Sequence, residues 1–289
     1  MPTLREILTV VPAQPINMGG FRVKQPLPHD ALDQIDPFLL LHHARSRITA
    51  GSRPQAEGVP PHPHRGFEPV TFIYQGGVHH RDSRGNDSVI GPGGVQWMTA
   101  GLGIVHSERP PRALTEAGGE QEIIQLWINL PARAKRAQPR YQGYQADQLP
   151  TVERDSAVVQ VVAGSFEGTE GPVETHSPIT ALNLALHAGS AVTIPLPEDH
   201  HAFLYLLDGR ARINDAQEVA GEHLVRFAPE GEAITVEASA STRALLMAGA
   251  PLNEPVVASG PFVMTSTTEI LEAMRDYQQG KMGILVETF

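Results

Sequence analysis

The apolar positions of this chain come in short runs, most of them closed off by Gly, Pro or Asp-Gly. Such runs predict strands rather than helices, because a strand buries alternate residues or a brief continuous stretch before a turn. In the first half, residues 7–11, 21–23, 37–41, 70–74, 88–90, 95–99 and 104–108 read this way. Residues 120–130 carry Ile123, Ile124, Leu126, Trp127 and Ile128 before Pro131, which predicts a strand buried on both faces. The basic, Ala-rich stretch 132–138 then predicts a single helical turn and a boundary, giving domains at 1–135 and 136–289. The second half keeps the same rhythm, with strands expected at 157–163, 179–187, 191–194, 202–207, 210–213, 223–227 and 233–238. Asp208-Gly209 between two of these predicts a hairpin.

One segment has a different period. Ser266 and Glu269 form a capping box, followed by Ile270, Met274 and Tyr277 at helical spacing and by Gly280 as a stop. The pattern as a whole predicts an all-β protein of two barrel-like domains with a short C-terminal helix. The shared rhythm of the halves suggests a duplication.

Composition narrows the chemistry. A chain of 289 residues is long enough for two cores, and Gly 27 with Pro 25 suits many turns. The formal net charge of −10, with no basic stripe, predicts no direct nucleic-acid contact. The absence of cysteine excludes disulfides, thiolate metal sites and cysteine nucleophiles. No apolar run approaches the roughly 18 residues of a membrane span, and the N-terminal stretch has no sustained apolar region of the signal-peptide kind. The expectation is a cytoplasmic protein.

Two matched pairs carry the candidate chemistry. His62 and His64 stand two apart, as do His106 and Glu108, and in a strand residues i and i+2 share a face. Two such strands side by side would aim three imidazoles and a carboxylate at one point. That set suits a divalent first-row metal and leaves two positions of an octahedron open. Isolated His-x-His pairs are usually surface or hydrogen-bonded residues, but here two pairs flank one strand-and-turn block. Fe2+ is the first choice for hard and borderline ligands, and Mn, Ni and Zn also fit the ligand types. The adjacent pairs His42-His43 and His79-His80 point to opposite faces, so neither is expected to bind metal. The second half lacks the paired spacing, so one metal per chain is expected, in the first domain.

The same block, PHPHRGFEPVTFIYQGG, HRDSRGN and GPGGVQWMTAGLGIVHSE, resembles the pirin family, a branch of the cupin superfamily, and EAMRDYQQGKMG near the end does so more weakly. The resemblance implies two cupin-type antiparallel β-barrels, each a double-stranded β-helix, with His62, His64, His106 and Glu108 as iron ligands. Cupins in general place a ligand glutamate at the position of Glu68 and a histidine at that of Trp97. Pirins move both roles to the His106 and Glu108 pair, which leaves Glu68 a supporting residue and makes Trp97 an expected wall of the metal pocket.

The implied activity is quercetin 2,3-dioxygenation, in which a flavonol and O2 react with release of CO. Glu108 is then the candidate acceptor of the flavonol hydroxyl proton. A second implied role is a redox-sensing regulator that binds a transcription factor or a metabolic enzyme.

Overall fold

The computed structural model describes residues 2–18, 21–154 and 156–287. It is built almost wholly of antiparallel strands, with helices at Arg112–Ala117 and Thr267–Gln278. The chain forms two units rich in antiparallel sheet, as its pattern of short apolar runs predicts.

The two compact units do not follow a cut at residue 135. One combines 1–16 and 24–39 with 148–252, and the other combines 17–23 and 40–147 with 253–289. Pairing explains the exchange in the first unit: the N-terminal strand Ile7–Pro12 hydrogen-bonds to His223–Phe227 in a nine-stranded sheet. In the other, residues beyond 253 return to the first half of the chain. Val263 N donates to the Arg65 carbonyl at 3.0 Å, one residue past His64.

The unit holding residues 40–147 contains a four-stranded sheet in the order Val59–His64, Ile104–Arg109, Val78–Asp82, Asp87–Ile90. The second sheet runs Arg140–Tyr144, Val95–Thr99, Phe67–Gln75, Gly119–Asn129 and onward through Phe38–Ile48. Phe67–Gln75 and Val95–Thr99 are buried along nearly their whole length, which a strand requires when both faces are covered.

The unit holding residues 148–252 has an apolar interior, in which Val159, Leu182, Leu184, Ile194, Leu204, Leu206, Val225, Ile234 and Leu246 form one cluster. Its expected hairpin at Asp208-Gly209 is absent. His201–Ile213 runs through as one strand with register shifts at Asp208 and Arg210. Asp208 is drawn to Arg243 on the neighbouring strand, and Gly209 takes φ 80°. The reversal comes later, at Asn214 and Asp215, whose φ values of 53° and 54° suit a tight hairpin turn.

The C-terminal helix begins where its cap predicts, with Ser266 Oγ accepting from Glu269 N at 3.3 Å. The reciprocal bond goes one residue earlier than the capping box would place it, from Thr265 N to Glu269 Oε2. Ile270 and Ala273 are the buried residues, whereas Tyr277 is 41% exposed and lies off the packed face. No helix among the described residues is long and apolar enough to cross a membrane.

Candidate metal centre

The strands that carry the two pairs, Val59–His64 and Ile104–Arg109, lie side by side in the register the paired spacing requires. Ile104 is opposite His64, Val105 opposite Pro63 and His106 opposite His62. His62, His64, His106 and Glu108 therefore project from one face, while Pro63 and Val105 share the other. Val59–His64 contains three prolines, each lacking a ladder donor, and it stands at the edge of its sheet where that loss is tolerated. An extra residue bulges out between His62 and Val59, so Glu108 pairs with Val59.

The ligand atoms of His62, His64 and His106 all lie within 4.8 Å of one another. The Nε2 atoms of His62 and His64 are 3.0 Å apart. Two nitrogens bound about 2.1 Å from one metal at right angles would be separated by about 3.0 Å, so this spacing fits shared ligation. Each ring's other nitrogen is engaged: His62 Nδ1 lies 2.8 Å from the Pro60 carbonyl oxygen and His64 Nδ1 lies 3.4 Å from that of Pro261. A proton at Nδ1 satisfies those carbonyls and leaves Nε2 as a lone pair. His106 Nε2 is buried and has no hydrogen-bond partner. Such an atom normally finds one, and a metal in the centre of the cluster would supply it.

Burial depresses the pKa of all three rings. For His64 and His106 the neighbouring imidazoles lower it further, and for His62 the Pro60 carbonyl and Glu108 partly oppose burial. Neutral imidazole is the ligating form, so the environment favours the state that binds metal.

Glu108 is buried on the same face. Its Oε1 accepts from Thr71 Oγ1 at 2.8 Å and from Gln96 Nε2, and its Oε2 accepts from Gln125 Nε2 at 2.6 Å. All three donors are neutral. The tight ligand-atom cluster consists of the three histidines, with Glu108 held beside it by this polar clamp.

Strand alternation corrects the expectation for Trp97 and Glu68. Thr71, which touches Glu108, and Phe67, whose ring centroid is 4.9 Å from that of His64, mark the site-facing side of Phe67–Gln75. Glu68 and Val70 point the other way. Trp97 is directly opposite Val70, so it shares that reverse face, while Gln96 and Met98 face the site. Trp97 is fully buried but is no wall of the metal pocket, and Glu68 sits beside Thr99, whose Oγ1 donates to it at 2.6 Å. Burial pushes the Glu68 carboxyl up to about 7, against the opposing effect of that hydroxyl.

The walls that sequence reading missed are Phe67, Trp127 and the clamp of Thr71, Gln96 and Gln125. A signal existed for the clamp. Each of its members is a polar residue between two apolar ones, in Val70-Thr71-Phe72, Val95-Gln96-Trp97 and Ile124-Gln125-Leu126. Trp127 lies 5.4 Å from the His64 ring, centroid to centroid, and its Nε1 is buried without a partner.

The other histidines divide as their spacing implies. His43 Nε2 lies 3.1 Å from Glu122 Oε1, and His79 pairs with Asp87. His80 is fully buried and stacks on Tyr141, with ring centroids 4.2 Å apart and planes 17° apart.

Comparison with known proteins bears on the family and the fold. Residues 20–128 match the family model described as Pirin, and residues 181–283 match the Pirin C-terminal cupin domain. A pirin-like protein of Solanum lycopersicum is 40% identical over 284 residues, covering 96% of this chain and 93% of its own. The pirin of Homo sapiens is 36% identical, covering 91% of this chain and 89% of its own. A crystal structure of quercetin 2,3-dioxygenase from Acinetobacter baumannii superposes with a TM-score of 0.92 at 35% identity, over 98% of this chain and 100% of that one.

Proposed function

The chain belongs to the pirin family, and from that premise we propose that it is a metal-dependent dioxygenase that opens flavonols of the quercetin type with O2, releasing CO. The observation that carries the reading is the meeting of three imidazoles, the buried His64 and His106 and the half-buried His62, with a buried carboxylate held only by neutral donors. His62, His64 and His106 would hold the metal, with Glu108 as a fourth ligand or as its immediate neighbour, and Fe2+ is the metal we favour. When bound, the metal supplies Lewis acidity toward a flavonolate oxygen and a route for electrons to O2.

The chain's own residues account for the rest. Glu108 has no cationic side chain among its hydrogen-bond partners, which makes it the candidate acceptor of the proton of the flavonol 3-hydroxyl. The amides of Gln96 and Gln125 fix the carboxylate in place, so little reorganisation is needed when the proton arrives. The half-buried Trp127, packed on the fully buried Phe67, presents aromatic surface beside His64, suited to a flat polyphenol, and its indole N–H is unspent.

The test is direct. Protein loaded with ferrous iron and given quercetin in air should consume flavonol and O2 in a one-to-one ratio and release CO. A fully loaded protein that leaves quercetin untouched would overturn the dioxygenase reading and favour a regulatory binding role.

A further inference from the structure

His106 is the one member of the triad whose second nitrogen does not meet a backbone carbonyl. Its Nδ1 lies 3.5 Å from Nδ1 of His80. His80 Nε2 in turn lies 3.1 Å from Oδ2 of Asp82, and both His80 and Asp82 are buried. The register sets up this line, since Asp82 is directly opposite His106 and His80 is opposite Glu108 on the same sheet face.

Three protein groups hold Asp82 as an acceptor. Its Oδ1 receives Arg84 N at 2.8 Å and Asn86 N at 3.1 Å, and its Oδ2 receives Asn86 Nδ2 at 2.7 Å. The proton positions along the chain follow from this fixed end. A carboxylate at Asp82 requires N–H at His80 Nε2. A neutral His80 then has its lone pair at Nδ1, which requires N–H at His106 Nδ1. The remaining lone pair falls on His106 Nε2, the buried atom without a hydrogen-bond partner. The opposite arrangement would put a proton on His106 Nε2, where no acceptor is present.

We infer that His80 and Asp82 are positioning residues for metal binding, forming a carboxylate–imidazole–imidazole line that fixes the tautomer and ring orientation of His106. Tyr141 holds the middle ring by stacking on it, and its hydroxyl lies 2.6 Å from Ser88 Oγ. The inference rests on the three-histidine metal site and is independent of flavonol chemistry. Outer partners of metal-bound histidines typically contribute about 10- to 100-fold in metal affinity.

Cobalt(II) titration followed by its visible absorption spectrum tests this without any turnover. His80→Phe keeps a ring against Tyr141 but removes the acceptor. Asp82→Asn keeps an oxygen for the two backbone amides while turning a donor toward His80, which reverses the line. Each should lose about 10- to 100-fold in cobalt affinity, with a changed spectrum for whatever metal binds. In the metal-free wild type, 15N chemical shifts should place the protons on His80 Nε2 and His106 Nδ1. Wild-type affinity and spectrum in a folded variant, or a proton on His106 Nε2 in the wild type, would overturn the inference. A wild type that takes up no cobalt would instead remove the metal site itself.

Discussion

Glu108 and Glu68 are two buried carboxylates on strands of different sheets, with opposite prospects. Glu108 faces the histidines and Glu68 faces away from them. Glu108→Gln keeps length and a ligating oxygen but removes the basicity, so turnover of quercetin should fall about 100- to 10,000-fold while metal is retained. Steady-state kinetics on metal-matched samples measures this. Glu68 should influence stability instead. Its folded pKa of about 7 exceeds the ordinary 4.5, so the folded state holds the proton longer. The stabilisation it gives is present below 4.5 and is lost as pH rises through about 7. Glu68→Gln cannot titrate and keeps an acceptor for Thr99. Its stability relative to wild type should therefore rise by about 3 kcal/mol between about pH 4 and about pH 8, read by denaturant unfolding.

Buried histidines act in the other sense. His42, lowered by burial from 6.5 to about 4, contributes stability above 6.5 that is lost as pH falls toward about 4. That contribution is common to wild type and to the Glu68 variant, so it cancels in their difference. At this scale the meeting of His62, His64 and His106 was legible because the i, i+2 spacing is itself the geometry. Trp97 was not, because its place in a family pattern says nothing about which face of its strand it occupies.

Among the elements, the corner after His64 is tightly constrained. Gly66 takes φ 85°, and a Cβ there would fall on the Val263 carbonyl oxygen. Lys135 Nζ, buried, closes the same corner by donating to Gly66 O at 2.9 Å, Val263 O at 3.0 Å and Asn129 Oδ1 at 2.7 Å. Gly260 also has positive φ, at 54°, but opens onto free space. Gly260→Ala should cost only the backbone penalty, about 1 kcal/mol, whereas Gly66→Ala should cost clearly more and reduce metal uptake with it. Chemical denaturation of both variants, with metal analysis, checks the pair. Equal losses would mean that the corner is soft.

Most strands could be read in advance, and Val95–Thr99, Ala157–Ala163 and His223–Phe227 fall where their apolar runs end. The misreadings have local causes. Asp208-Gly209 has hairpin chemistry, but the pull of Arg243 makes it a bulge in a longer strand. The helix Arg112–Ala117 is too short to show a periodicity of its own.

For the molecule as a whole, two sheet-rich units were legible in the rhythm of turns. The exchange of terminal segments between them was not, because it depends on pairings such as Ile7–Pro12 with His223–Phe227 that no local pattern announces. Only one unit brings a histidine triad together among the described residues. The central claim is that this triad forms a single metal centre. Elemental analysis of protein loaded with ferrous iron and then desalted tests it most directly, with the His62→Ala, His64→Ala double variant alongside. The account predicts close to one iron per wild-type chain and almost none in the folded variant. Two tightly held metals per wild-type chain, or iron retained by the variant, would contradict it.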